Sequence, residues 1–496
     1  MRDDKEGAGV AVLLDNDLYC VVHLENDAAW EELESRFNDH RSERDDIARI
    51  RDYLKNDAKA AIIEKKYTDK DYRDTFSNFY SKKMASYPST TYRMHFFTNF
   101  VPLDDLFNLE IHNGSYIGYT VIRPTQVSSI GRTIFDPSKI SGLHGVICRT
   151  EYRAHLFGAE LKVSGFPFIS QDTDVTICAH AATWMNFRYF SERYPLYREI
   201  YPHQISQLSG DLSRGRLIPS KGLTAFQITE IFSKYGFYPE VYLKNHYPGD
   251  FYKLLYYYIE SGLPVVACLH GKQHALTVIG HLSDYSLTAK HNSEEYLTGY
   301  IVNDDNHLPY QIIWRDGLPE SGYSSSFRLS DIDGFIVPLY EKMYLSAEHI
   351  EQLAEVIIND SIIGVDANSK LVTRDKLIKR IFLTSSNAFK AVRRNNTMPF
   401  DLHKDYIQLT MPKFIWICEL SLPDLYPKKQ IVGELIFDAT ANHLDRLSFL
   451  AIHYPDFILY NDRNKLGDNP DRFKLKTPKT DALMPYPMFE NNLKEV

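Results

Sequence analysis

The sequence predicts an α+β protein, and three observations carry that prediction. Apolar residues make up 44 % of the 496 positions and charged residues 24 %, so most of the chain can bury enough apolar surface to offset its conformational entropy. Helical and strand-like runs come in blocks. After one opening strand, the middle of the chain reads helices first and strands later, unlike the strand–helix alternation of a parallel sheet. No internal repeat or low-complexity tract interrupts this order. At roughly 100–200 residues per domain the length implies two to four domains, and the breaks fall near residues 150 and 340.

Residues 1–150 read as an N-terminal α+β region. Ala28 to Arg51 and Asp57 to Ser81 have a polar, helical character, and Ser86-Tyr87-Pro88-Ser89-Thr90 reads as a linker. Strand-like runs follow at Tyr92–Phe97, Tyr116–Ile122 and Gly131–Phe135, the second ended by Arg123-Pro124 because proline cannot donate to a ladder. Residues 151–340 open with a strand-like Leu161–Ile169 and a helix that starts near Cys178 and runs through Phe187. A turn at Ser220–Gly222 leads to a helix at Thr224–Tyr235, which Gly236 ends as a C′ glycine. Then come a strand at Phe237–Leu243, an aromatic helix at Tyr252–Glu260, and strands at Pro264–Leu269, Ala275–His281, Tyr300–Asn303 and Tyr310–Trp314. Residues 341–496 read as a C-terminal α+β accessory region. Its helices are expected at Ala347–Ile358 and Arg374–Ala391, its strands at Phe414–Leu420, Gln430–Phe437 and Phe457–Tyr460, and an extended polar tail follows from Asn461.

Composition excludes several function classes. Lys and Arg total 56 against 65 Asp and Glu, a net charge of -9, so no general basic field attracts nucleic acid. The short basic stretch Lys390–Arg394 reads as a solvated helix face. No run approaches the ~20 apolar residues of a membrane helix, and the charged start MRDDKEGAG has no signal-length apolar stretch behind it. The five cysteines, Cys20, Cys148, Cys178, Cys268 and Cys418, are widely spaced with no CxxC pair, which points away from a disulfide framework and a zinc knuckle. The expectation is a cytoplasmic protein without a membrane partner, in a reducing compartment that keeps a free thiol usable.

Three segments of the middle region together can perform nucleophilic catalysis. In Cys178-Ala179-His180-Ala181-Ala182-Thr183-Trp184 the cysteine stands where an apolar helical pattern begins, and the unpaired N–H groups of a helix start favour a thiolate. The Cys178 N–H can face a developing oxyanion, and the side-chain amide of Gln171, one short loop upstream, can supply a second donor. In Gly271-Lys272-Gln273-His274-Ala275-Leu276-Thr277-Val278-Ile279-Gly280 the histidine begins an apolar strand directly after a turn, where an imidazole can reach a nucleophile on a facing helix. Tyr300-Ile301-Val302-Asn303-Asp304-Asp305 ends the next strand in two carboxylates, either of which can accept the second imidazole N–H; register favours Asp304.

Singly, each piece has a plainer reading: an inert buried cysteine, a structural histidine, a turn. The ordered set of four is what points to chemistry. Metal catalysis would require several of His180, His270, His281 and His307 to converge. His274 and His281 are placed on opposite faces of one strand, so no metal or cofactor is expected. Cys20, Cys148, Cys268 and Cys418, Trp184 and the aromatic run Phe251–Tyr258 read as core.

From Phe166 to Trp314, under a third of the chain, the sequence resembles the papain-like cysteine peptidases, and within them the bacteriocin-leader-processing, double-glycine-peptidase-like branch. That branch has a Gln shortly before a helix-starting Cys, a His-Ala/Tyr-Val-Val-Val-Gly strand, and a next strand ending Asn-Asp-Pro. Gln171, Cys178, His274 to Gly280, and Val302-Asn303-Asp304 are similar to these. Gly222-Leu223-Thr224, Gly236 to Tyr242 and Ser261 to Val266 also resemble that branch's intervening elements. Two positions depart. Ala179 stands where the family has Gly after the Cys, and Asp305 stands where it has Pro.

The resemblance implies a papain-like middle domain, a nucleophile helix packed on an antiparallel sheet, with Cys178, His274, Asp304 and Gln171 as its catalytic set. The expected activity is hydrolysis of a peptide or isopeptide bond in a protein partner through a thioester. Other thiol acyl transfer (deamidase, transglutaminase, acyltransferase) and a non-catalytic protein-binding module on the same core are the alternatives. By analogy, a bacterial immunity, toxin or peptide-maturation role fits. The flanking regions suggest recognition of a regulatory protein partner, with the first 150 residues either a propeptide-like guard or a docking domain.

Overall fold

A computed structural model of the chain describes residues 12–37, 41–172, 174–175, 177–210, 222–288, 291–315, 323–364, 376–395, 398, 402–455, 457–465, 469, 471–477 and 484–496. Its fold is α+β, with antiparallel sheets. The first sheet is a meander in chain order: β1 (Val12–Asp15), β2 (Tyr19–His23), β3 (Ala60–Tyr67), β4 (Thr91–Phe97), β5 (Tyr116–Ile122) and β6 (Ile130–Phe135). Helices α1 (Asp27–Ser35) and α2 (Arg41–Leu54) lie between β2 and β3, and α3 (Lys70–Asn78) between β3 and β4. After β7 (Val146–Cys148), a separate hairpin is made by β8 (Thr150–Leu156) and β9 (Ala159–Gly165).

Four helices come next, α4 (Cys178–Arg193), α5 (Pro202–Gly210), α6 (Ala225–Lys234) and α7 (Phe251–Glu260). Interleaved with and following α7 are β10 (Phe237–Leu243), β11 (Val265–Leu269), β12 (His274–Ser283), β13 (Leu297–Asn303), β14 (Gln311–Trp314) and β15 (Gly334–Tyr340), ordered β10-β15-β11-β12-β13-β14 in the second sheet. The rest of the chain holds α8 (Ala347–Ile358), β16 (Ile378–Ser385), α9 (Ser386–Asn395), α10 (Leu402–Gln408), β17 (Phe414–Ser421), β18 (Gln430–Ile431), β19 (Gly433–Asp438), β20 (Phe449–His453), β21 (Ile458–Asn461), β22 (Phe473–Lys476), β23 (Tyr486–Pro487) and β24 (Leu493–Glu495). The third sheet runs β16-β17-β19-β20-β21-β22. No described helix is long and apolar enough to cross a membrane.

Two stretches expected as helix hold a strand. Within Asp57–Ser81, Ala60 to Ile63 is buried between β2 and β4, and a run with no polar face takes the extended form. The helix starts only at Lys70, where the Asp69 side chain accepts from Tyr72 N. Within Arg374–Ala391, β16 is buried along most of its length and pairs with all of β17, and α9 follows it; Arg374 and Asp375 lie outside the described residues. The expected strand Leu161–Ile169 ends at Gly165, where an added Cβ would meet Phe135 O at 2.3 Å. The run Gln430–Phe437 is two strands, since β18 pairs with β23 and β19 with β17 and β20. Lys390–Arg394 is not a solvated face. Arg393 is fully buried between Glu419 and Glu434, and Lys390 donates to the carbonyls of Ile407 and Leu409.

Other expected elements are present. Thr224 and Gln227 form a capping box at the start of α6, and Gly236, at φ +87°, follows its end. Gly222 is described at the expected turn, whereas Ser220 and Lys221 lie outside the described residues.

Helix α4 is fixed to β12 by two hydrogen bonds. Asn186 Nδ2 donates to Thr277 Oγ1 at 3.3 Å, and Thr277 Oγ1 donates to Ala182 O at 3.2 Å. They act one and two turns after Cys178 and three residues after His274, so they set the separation of those two positions. One hydrophobic core runs from Cys20 to Leu493 through all three sheets.

The tail joins the regions. Phe489 N donates to Glu419 Oε1 at 2.6 Å, Asn491 Nδ2 reaches Glu260, and β24 pairs with β7, which pairs with the far half of β12. Glu260 itself is buried, which opposes its charge, but Arg380 and His281 hold it ionised at about 2.

Candidate active site

Cys178 is the first residue of α4. Its N-cap, Ile177, offers no side-chain acceptor, so the first N–H groups of the helix stay available beside the thiol. Cys178 is also the one cysteine of the five that is not fully buried. Burial pushes the Cys20 and Cys148 thiols up, and those of Cys268 and Cys418 up to about 12. These four are the core residues the sequence suggested.

His274 opens β12 after a tight turn over 270–273, in which Gln273 adopts a left-handed φ of +52°. The Leu269–His274 pair closes this β11–β12 hairpin and places the imidazole at the sheet rim. Nε2 lies 2.9 Å from Asp304 Oδ1 and 3.7 Å from Asp305 Oδ1. The Cys178 side chain lies close enough to the imidazole to be among the groups that favour its charged form. Burial opposes the imidazolium charge, but the bond to Asp304, the Cys178 side chain and the nearby carboxylates outweigh it and raise the group to about 10. The half-buried ring of Phe327 stacks on His274 at 4.9 Å with an interplanar angle of 24°.

The two carboxyls behave differently. Asp304 is desolvated, which alone would raise its pKa, yet the bond to His274, the imidazolium charge and the Asn306 N–H keep it below its ordinary value. Asp305 is buried with no hydrogen-bond partner on either oxygen among the described residues, and it is raised to about 7 by that burial together with the Asp304 charge.

Gln171 lies at the same site through Asn306. Its Nε2 donates to Asn306 Oδ1 at 2.8 Å, while Asn306 N and Nδ2 donate to Asp304 Oδ1 at 3.1 and 3.3 Å. Three of the residues singled out in the sequence are therefore linked by hydrogen bonds, His274 to Asp304 to Asn306 to Gln171, and the Cys178 side chain is beside the imidazole. Asn306 and Phe327 were not anticipated. Asn306 had a local signal, an Asx-type turn after Asp304-Asp305, whereas Phe327 lies far along the chain and left none.

The other histidines do not converge here. Among the described residues neither ring nitrogen of the buried His180 has a partner, His270 pairs with Asp333 at 2.5 Å, and His281 reaches Glu260 at 2.7 Å. His307 Nε2 comes only to 4.0 Å from Asp304. One atom each from His274, Asp304 and Asp305 lie within 4.8 Å of one another, so this trio could hold a divalent cation, at the cost of the His274–Asp304 hydrogen bond. An open pocket of about 560 Å³ lined by Leu243, Lys244, Asn245, His270 and Asp333 lies beside the turn that precedes His274.

Chemically, the arrangement pairs an accessible thiol at a helix start with a cationic imidazole, oriented by a carboxylate and flanked by a side-chain amide. No family model matches the chain, and no curated protein or solved structure is similar enough to it to carry an argument.

Proposed function

We propose that the protein is a papain-like cysteine peptidase that cleaves a peptide or isopeptide bond of a protein partner. The observation that carries this reading is the position of His274, hydrogen-bonded to the buried Asp304 and beside the Cys178 side chain at the start of α4. The packing of α4 on an antiparallel sheet supports the papain-like arrangement.

In this reading the Cys178 thiolate attacks the carbonyl carbon, an S–C bond forms, and the carbonyl electron pair moves to oxygen. The Cys178 N–H and Gln171 Nε2 hold that oxyanion. The His274 imidazolium protonates the departing amine as the C–N bond breaks, leaving a thioester. His274 then takes a proton from water, which attacks the thioester and releases the acid and the thiol. Asp304 keeps the imidazole in the required tautomer throughout. The third role falls to Asp304 and not Asp305, because it is the closer and the ionised one of the two.

The test is alkylation by iodoacetamide across pH, with peptide mass mapping, in the wild type, Cys178→Ala and His274→Ala. Selective labelling of Cys178 below pH 7, slowed in His274→Ala, supports the pair and directs the search to peptide substrates. Labelling of Cys178 no faster than Cys20 or Cys418 would overturn the catalytic reading in favour of a binding module.

A further inference from the structure

Two loops carry the parts of the site that α4 and β12 do not, residues 170–172 with Gln171 and residues 304–310 with Asp304. Both are fastened by the N-terminal region. The first is clipped to β6, where Phe168 exchanges both backbone hydrogen bonds with Thr133. Buried Ser170, next to Gln171, donates to Ile130 O at 2.6 Å, meets Ser128 Oγ at 2.7 Å and accepts Arg123 Nη2 on its carbonyl at 3.0 Å.

The second loop is held by α2. Arg49 Nη2 donates to Asn306 O at 2.8 Å, and Tyr53 Oη donates to Pro309 O at 2.9 Å. Arg49 is itself aimed by Asp46 at 2.8 Å, and Asp46 accepts from Ser129 N at 2.6 Å. Asn306 then closes the circuit, because its amide can satisfy both neighbours in one orientation only, oxygen toward the Gln171 amide and nitrogen toward the Asp304 carboxylate.

From this closed path we infer that Asn306 and Arg49 are positioning residues, and that the N-terminal region is a structural part of the active site and not a guard over it. The inference rests on the peptidase reading. Asn306 holds the oxyanion donor and the base-orienting acid at a fixed spacing, and Arg49 transmits the position of α2 to that spacing. A partner that shifts α2 would be felt at Asp304 and Gln171 together.

Two probes separate these effects. Alkylation of Cys178 by iodoacetamide needs the activated thiolate and no oxyanion donor. Propanal adds to the thiolate as a hemithioacetal, forming an S–C bond and an alkoxide that takes the His274 proton, so its protection of Cys178 against alkylation also reports the oxyanion donors. Both are measured in the full-length wild type, Asn306→Ala, Arg49→Ala, Gln171→Ala and Asp304→Asn, with the thermal midpoint as a folding control. Asn306 is exposed and Arg49 more than a third exposed, so both variants fold.

Gln171→Ala should weaken propanal protection alone, and Asp304→Asn should shift the pH profile of alkylation. Asn306→Ala should do both, with protection weakened about tenfold, and Arg49→Ala should do the same to a smaller degree. Wild-type behaviour of Asn306→Ala and Arg49→Ala would overturn the inference while leaving the peptidase reading intact. Faster alkylation in Arg49→Ala would also overturn it, in favour of a guard. An unactivated Cys178 in the wild type would overturn both.

Discussion

Asp304 and Asp305 share one neighbour, His274 Nε2, at 2.9 and 3.7 Å, and that difference of less than an ångström separates an ionised carboxylate from one raised to about 7. Asp304 holds the hydrogen bond and the Asn306 donors, and Asp305 holds none among the described residues. Replacing each by Asn should therefore give unequal losses. Asp304→Asn is expected to slow acyl transfer by about a hundredfold or more, as loss of the tautomer-fixing acid does in triads. Asp305→Asn should retain activity within about tenfold. Steady-state rates on a cleavable peptide ester would check the order, and equal losses would contradict the assignment.

The same pair sets a pH dependence of stability. His274 is raised from 6.5 to about 10, so its contribution is complete below about 6.5 and is lost as the pH climbs through 10. Asp305 is an acid raised from 3.8 to about 7, so the fold favours its protonated form. That contribution is complete below 3.8 and is lost as the pH rises through 7. Asp305→Asn removes the second dependence and, because the Asp305 charge helps hold the imidazolium, weakens the first. Its stability should match wild type near pH 4 and exceed it by about 4 kcal/mol near pH 8–9. Urea unfolding at the two pH values would decide this.

Thiol selectivity follows from burial. With the other four cysteines buried and pushed upward, a short exposure to iodoacetamide at pH 6 should modify Cys178 almost alone. His274→Ala removes the adjacent cation and should slow that reaction by about tenfold or more. Peptide mapping of the alkylated protein reads both outcomes.

The helix–strand bond through Thr277 tests how the nucleophile is placed. Thr277→Val keeps the shape but removes the link from strand to helix, leaving Asn186 Nδ2 and Ala182 O bonded to each other without Thr277. A loss of about 1–2 kcal/mol in stability is expected, accompanied by slower alkylation of Cys178. Loss of stability with an unchanged alkylation rate would mean that the bond braces the core without positioning the thiol.

The charged centre of the third sheet is the most sensitive point for stability. Arg393, Glu419 and Glu434 are all fully buried, and Arg393 also donates to Pro487 O in the tail. Arg393→Ala takes from Glu434 its buried cation and leaves Glu419 with Arg380 and the Phe489 N–H, and should cost about 3–5 kcal/mol. Calorimetry would measure it. A cost below about 1 kcal/mol would mean that the carboxylates protonate or find other partners.

Much of the site was legible because its residues stand at element boundaries. Cys178 opens a helix, His274 opens a strand, and Asp304 follows the end of the next strand, so local pattern alone put each on the correct rim. Their convergence depends on β12 pairing with both β11 and β13, whose strand runs were legible but whose pairing was not. Elements buried on both sides were harder to read. Ala60–Ile63 and Ile378–Leu383 lack the alternation that distinguishes a strand from a helix, and only their neighbours in the sheet decide the matter. Arg393 misled for a related reason: an arginine in a basic run looks solvated unless its buried carboxylate partners, distant in sequence, are known. Phe327 and Arg49 reach the site only through the tertiary fold.

Synthesis runs from Cys178 through His274 to Leu493, and β24 is the outer strand beside β7, which braces the far half of β12. Cys178 and His274 are therefore synthesised while the strand bearing the histidine still lacks its outer support. The tail ties that support to α4 as well, because Asn492 accepts from Arg193 in the helix's last turn. Chain elongation thus acts as a timer. The sulfur and the imidazole are made early, and the outer support of the strand that carries the imidazole is complete only once β24 has been made and has paired with β7.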